Sequence, residues 1–138
     1  MVLTKVMLDS NFLISAVVLG GKPREVLEAA IKGKIQLVLT KEIIEETKGV
    51  LEGKKFQFPR EITDLIIREL GALAEIVKPE ERLAVIEKDP EDNRVLECAQ
   101  ESQADYIVSG DVHLLGIKEF EGTKILTPGE FLYILDKR

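Results

Sequence analysis

Read only for hydrophobic and polar positions, the chain keeps switching between two patterns. Short, nearly continuous apolar runs alternate with longer stretches in which apolar residues recur every three to four positions. The first pattern marks strands buried on both faces, the second helices lying on them. Residues 4–8, TKVML, form a first strand followed by the turn-like DSN. NFLISAVV (11–18) predicts a helix that Gly20-Gly21 breaks. Pro23 is placed to open a second helix, PREVLEAAIKG, which Gly33 closes. IQLVLT (35–40) is a second strand, with Thr40 placed to cap the helix KEIIEETKGVLEG. After the loop FQFP, REITDLIIRELGAL is helical and EIVKP is a third strand ended by Pro79. Residues 80–88 fit neither pattern. DPEDNRVLECAQESQA predicts a helix, YIVS a fourth strand, KILT a fifth, and PGEFLYILDK a closing helix.

Strands alternating with helices imply an α/β fold, a three-layer α/β/α sandwich with a central, mostly parallel sheet of about five strands. No repeat, linker or low-complexity tract divides residues 1–138, so one domain is expected. Composition changes this picture little: 45% of residues are apolar and 32% charged. No apolar run approaches the roughly 20 residues that cross a bilayer, and the N-terminus meets Asp9 before a signal-type run can develop. The single cysteine, Cys98, excludes an internal disulfide, and the single histidine, His113, excludes a site built on several imidazoles. A cytoplasmic location is therefore expected. The net charge of −6 argues against nucleic-acid binding through a broad basic surface, but leaves room for a local site in which acids hold a cation.

Open parallel sheets bind ligands beyond the carboxyl ends of their strands, and acids recur there. Asp9 follows the first strand, and Glu42, Glu45 and Glu46 lie in the helix after the second. Asp89 and Asp92 begin the penultimate long helix, and Asp111 follows the fourth strand. At about 100° per residue, taking Glu46 as zero puts Val50 near 40° and Ile43 near 60°, with the apolar stripe centred near 100°. Glu46 thus borders the buried face, whereas Glu45 points away and Glu42 is on the wet side. In DPEDNRVLECA, Asp89 suits the cap, Pro90 the first helical position and Asp92 the third. Asp92 shares the i, i+3, i+4, i+7 stripe with Val95, Leu96 and Ala99, so its carboxylate is aimed at the core, which is costly unless it is paired or bound to a cation.

Each acid has a plainer reading. Asp92 can serve the helix dipole, Asp9 and Asp111 can form strand-end turns, and Ser10 or Asn11 can cap the following helix. Four such coincidences on one sheet edge are harder to accept. Clustered carboxylates repel unless a cation intervenes, and an all-oxygen donor set selects Mg²⁺ or Mn²⁺ over zinc. Such a site suits phosphodiester hydrolysis by a metal-activated water, with no side-chain nucleophile or histidine base needed.

Four blocks, VMLDSNFLISAVV, LTKEIIEETKGVL, DPEDNRVLECAQESQADYIVSGDVHLL and KILTPGEFL, resemble the PIN-domain ribonucleases over nearly the whole chain. Within that family they resemble the VapC-like toxin components of prokaryotic toxin–antitoxin pairs. The resemblance implies a metal-dependent endoribonuclease whose catalytic and metal-holding acids match Asp9, Glu46, Asp92 and Asp111. Ser109 matches the small hydroxyl residue before the last acid, and Asn11, near the first, is a supporting residue. Thr47 departs from relatives that often carry an aromatic there. The resemblance also implies an RNA substrate, a cognate antitoxin protein and a homo-oligomer, to which the Ile- and Leu-rich helix 60–73 would contribute.

Other residues keep ordinary expectations: Cys98 in the core, His113 in a surface turn, and Arg94, Lys41 and Lys48 on solvated faces within reach of a phosphate. A phosphate-receiving module fails because LDSN offers one acid where it needs adjacent ones and no lysine ends the fourth strand; a D-x-D phosphatase fails because Asn11 replaces the second acid. The remaining alternative keeps the fold without catalysis, as a silent PIN-like module that binds RNA or protein.

Overall fold

The computed structural model describes residues 3–80 and 90–137, and at 90 and 91 the backbone alone. Asp89, the expected cap, and residues 81–88 lie outside them. The chain runs β1 (Lys5–Leu8), α1 (Ser10–Val18), α2 (Gly21–Ile31), β2 (Gln36–Thr40), α3 (Lys41–Glu52), α4 (Arg60–Leu73), β3 (Ala74–Val77), α5 (Pro90–Ser102), β4 (Tyr106–Val108), α6 (Val112–Ile117), β5 (Glu119–Phe120), β6 (Thr123–Leu126) and α7 (Pro128–Asp136).

The sheet order is β3-β2-β1-β4-β6-β5, parallel throughout except for β5, which runs antiparallel to β6. Helices lie on both sides. α1 packs on α2 and α3, α3 on α4, and α2 on α7, while α5 packs on β1, β2 and β3. The central strands are apolar because both their faces are covered: Val6, Met7, Leu8, Leu37, Val38, Leu39, Ile107 and Val108 are all fully buried. Leu13, Val26, Leu96, Leu114 and Phe131 close the core from the helices. Among the described residues no helix is long and apolar enough to cross a membrane.

The expected α/β/α sandwich is present, with six strands among the described residues where about five were expected. The addition is a short hairpin. Glu121 and Gly122 both have positive φ, +50° and +85°, and join β5 to β6 across the Phe120–Thr123 pair, as a two-residue turn matched to strand twist requires. α2 begins at Gly21 rather than Pro23, which a proline in the first turn permits because its missing N–H has no partner there. Residues 112–117, given no element by the sequence pattern beyond a turn around His113, form α6. Val50, assigned to the apolar stripe of α3, is 40% exposed, while Leu51 beside it in the same turn is fully buried: Val50 stands at the edge of the stripe, on the side of Glu46.

The strand order fixes where a crevice opens. From β1 the chain builds outward through β2 to β3 on one side and through β4 to β6 on the other. Connections on either side of β1 and β4 therefore part company at the strands' carboxyl ends, the switch point of an open α/β sheet.

Candidate active site

Leu8 is paired in register with Val108, so the next residues, Asp9 and Ser109, leave the sheet side by side. The Ser109 hydroxyl donates to Asp9 Oδ2 at 2.7 Å and accepts the Asp111 backbone N–H at 3.0 Å. Ser109 is fully buried and Asp9 is 7% exposed. Asp9 is the cap of α1, a role for which Ser10 and Asn11 were the alternatives: its Oδ1 accepts the Phe12 N–H at 2.7 Å. Asp111 caps α6 in the same way, accepting the N–H groups of His113 at 2.7 Å and Leu114 at 3.3 Å. Both strand-end aspartates are thus pinned by the helices they start, and both lie on the crevice.

Glu46 arrives from α3. Thr40 at the end of β2 caps that helix by accepting the Ile43 N–H, and one turn later Glu46 accepts the Ser10 hydroxyl at 2.7 Å. Glu46 is half-buried while Glu45 is exposed and sits 3.8 Å from Lys41, as the helical angles predict. Asp92 is 6% exposed in the first turn of α5, again as predicted.

Two cavities meet at Asp9. One is lined by Asp9, Ser10, Asn11, Glu42, Glu46, Asp92 and Arg94 among others, and so gathers three of the four expected acids. The other, of about 300 Å³, is bounded by Asp9, Asn11 and Phe12 of the α1 region, Pro23, Gly110, Asp111 and Pro128. Burial pushes the Asp9 carboxyl above its ordinary range. The hydrogen bonds from Ser109 and Phe12 oppose the rise, and the charges of Asp111 and Glu46 reinforce it.

As donors, these residues suit a hard divalent cation: every group is a carboxylate, amide or hydroxyl oxygen. Among the described residues, however, no three acids are gathered as ligands of one ion. Asp9, Glu46 and Asp111 are each held by a hydroxyl or backbone N–H, and Asp92 lies at the start of α5. Mg²⁺ typically takes only one or two carboxylates directly and keeps several waters, so the donor set fits that ion in chemistry and in number.

Sequence reasoning missed Ser10, whose bond to Glu46 spans 36 positions, and Glu97, 3% exposed on α5. Glu97 Oε2 lies 3.1 Å from Arg94 Nη2 and holds that guanidinium on the wall of the acidic cavity. Lys48, by contrast, is engaged with Asp64 and Glu52. His113 is exposed and takes part through its backbone N–H. Cys98 is core as expected, its thiol pushed up to about 12 by burial and by the charge of Glu75.

The fold and crevice define a doubly wound α/β protein with a carboxylate-lined cleft at its switch point. A PIN-domain family model matches residues 5–113, and the chain belongs to that family, whose members are in general nucleases using divalent metal ions. Two solved structures share the fold. One is a chain of VapBC2 from Rickettsia felis, solved bound to a DNA fragment from their promoter, at 14% identity and a TM-score of 0.62 over 90% of this chain and 98% of that one. The other is PAE2754 from Pyrobaculum aerophilum, at 13% identity and a TM-score of 0.62 over 98% of this chain and 91% of that one. No curated protein matches the sequence.

Proposed function

We propose that this protein is a metal-dependent endoribonuclease formed by one domain, residues 1–138. The observation that carries the proposal is convergence: Asp9, Glu46, Asp92 and Asp111, from four separate segments, line two cavities that meet at Asp9. These four carboxylates would hold one or two Mg²⁺ or Mn²⁺ ions, some through water. A metal bound there supplies a water of lowered pKa and neutralises charge on the phosphate. The chain's own part is to position the donors. Phe12 N–H and Ser109 fix the two oxygens of Asp9, Ser10 turns Glu46 towards α1, and the amino end of α6 holds Asp111. Asn11 is placed to hydrogen-bond a water near Asp9, and Arg94, steadied by Glu97, to meet a phosphate oxygen.

The likeness to a VapBC2 chain supports a further reading of this protein as the toxin of a cytoplasmic toxin–antitoxin pair, with a cognate antitoxin protein as partner. The exposed Ile62 and Leu65 of α4 support self-association.

The test is incubation of the purified protein with labelled single-stranded and structured RNAs in Mg²⁺, Mn²⁺ or EDTA, beside Asp92→Asn. Cleavage that needs the metal and disappears in the variant is the expected outcome. Cleavage surviving the substitution would show that Asp92 is wrongly placed in the mechanism. Metal binding with no cleavage of any RNA would leave the silent RNA- or protein-binding module as the better reading.

A further inference from the structure

The larger of the two cavities is not accounted for by metal binding. It touches the acids only along one edge, at Asp9 and Asp111; its other walls are Phe12, Ser15, Pro23 and Pro128, with Asn11 at the side. Those walls come from three helices. Asn11 and Ser15 stand one turn apart on α1 and so present a carboxamide and a hydroxyl on one face. Pro23 belongs to the first turn of α2 and Pro128 opens α7, and the packing of α2 on α7 sets the two prolines around one space. Neither ring carries an N–H, so both offer flat, apolar surfaces with no donor to satisfy.

At about 300 Å³ the space is at the small end of ligand sites, which run from roughly 300 to 1,000 Å³. It suits one planar heterocycle and its sugar. A cation stands beside it: Lys22 Nζ lies 3.2 Å from where a Cβ on Gly129 would be, so a residue without a side chain at 129 makes room for the ammonium next to Pro128. No ion pair holds Lys22 among the described residues.

We propose that this cavity seats the base of one nucleotide of a single-stranded RNA, adjoining the phosphate that lies at Asp9 and Asp111. This deepens the nuclease reading and rests on it. The base lies against the rings of Pro23 and Pro128, Asn11 and Ser15 meet its polar edge, and Lys22 meets the neighbouring phosphate. A base enters such a space only when it is out of the helical stack, which makes single strands, loops and bulges the substrates and excludes uninterrupted duplex. Asn11 and Ser15 are then the residues that decide which base is preferred next to the cut.

The test needs no cleavage. Each of the four ribonucleoside 5′-monophosphates, and inorganic phosphate as control, is titrated into the protein in Mg²⁺ while backbone amide resonances are followed. At least one nucleotide is expected to shift Asn11, Phe12, Ser15 and Gly110 together, with phosphate alone failing to reproduce the pattern. Ser15→Phe, which fills the cavity, weakens that binding on the order of tenfold, the cost of losing one stacked base, while Mn²⁺ affinity stays at the wild-type level. Shifts confined to other surfaces, no shifts, or the same pattern with phosphate would overturn the proposal from the wild-type protein alone, even if Ser15→Phe does not fold. Nucleotide binding here without RNA cleavage would instead sink the nuclease reading and leave the subsite standing.

Discussion

Ser109 contributes no charge, yet it organises the crevice. Its hydroxyl is the hydrogen-bond partner of a buried Asp9 oxygen and also receives the Asp111 N–H. Ser109→Ala leaves that oxygen without its donor, a loss of about 1–3 kcal/mol, readable by urea unfolding, and raises the Asp9 pKa further, readable from its carboxyl carbon resonance. Asp9 itself is held in tension with the fold. Its folded pKa lies above the unfolded value, so the folded protein retains a proton there that the unfolded chain has already released. Stability from this group therefore falls as pH rises from the ordinary carboxylate range through the raised pKa, and the loss is complete above it. Asp9→Asn removes the penalty: in EDTA at pH 7 the variant should melt above the wild type, and the gap should close as the pH falls below the ordinary carboxylate range. A variant that melts lower at every pH would show that the charge is not the costly feature.

At the scale of elements, both strand-end aspartates cap helices and in the proposed site would also hold metal, and substitution can separate the two roles. Asp111→Asn keeps a good cap and loses a charge, whereas Asp111→Ala loses both, at a cost of about 0.5–2 kcal/mol. Thermal unfolding should therefore distinguish the two variants, while RNA cleavage, expected to be lost in both, does not. Much at this scale was legible in the sequence. The bounds of α4 follow its apolar periodicity, Thr40 caps α3, and the helical angle put Asp92 inside and chose Glu46 over Glu45. What escaped is short or remote. α6 has six residues, too few to show a period, and β5 has two. The Glu121-Gly122 turn was the one signal that could have revealed the hairpin. Val50 misled because it lies at the rim of the stripe, about 60° from its centre, where one angular step separates a buried residue such as Leu51 from an exposed one. The Ser10–Glu46 and Ser109–Asp9 bonds join residues that no local pattern relates.

For the whole molecule, a divalent cation bound at the proposed carboxylate site would stabilise the folded state by mass action. At a metal concentration 100 times Kd the folded state gains about 2.7 kcal/mol, a rise in melting temperature of roughly 10 °C for a chain of this size. Mn²⁺ should produce that rise in the wild type and not in Asp92→Asn; a similar rise in both would place the ion elsewhere. Light scattering coupled to size exclusion should report a dimer or larger species that Ile62→Lys with Leu65→Lys reduces to monomer. Four of the six large apolar residues of α4 are already used, since Leu70 is buried and Ile66, Ile67 and Leu73 pack on the core, which leaves Ile62 and Leu65 clearly exposed.

The 2.7 Å bond between Ser109 and Asp9 spans 100 positions, and this orders events during synthesis. A polypeptide emerging from the ribosome presents Asp9, Glu46 and Asp92 before β4 has been made. β1 waits at the middle of an unfinished sheet until residues 106–108 slot in beside it. A product of interrupted translation that stops before β4 carries three of the four acids but no closed crevice. Cleft assembly is thus among the last steps of making the molecule, and under the proposed ribonuclease function a nascent chain still on its own message would not yet hold the complete site.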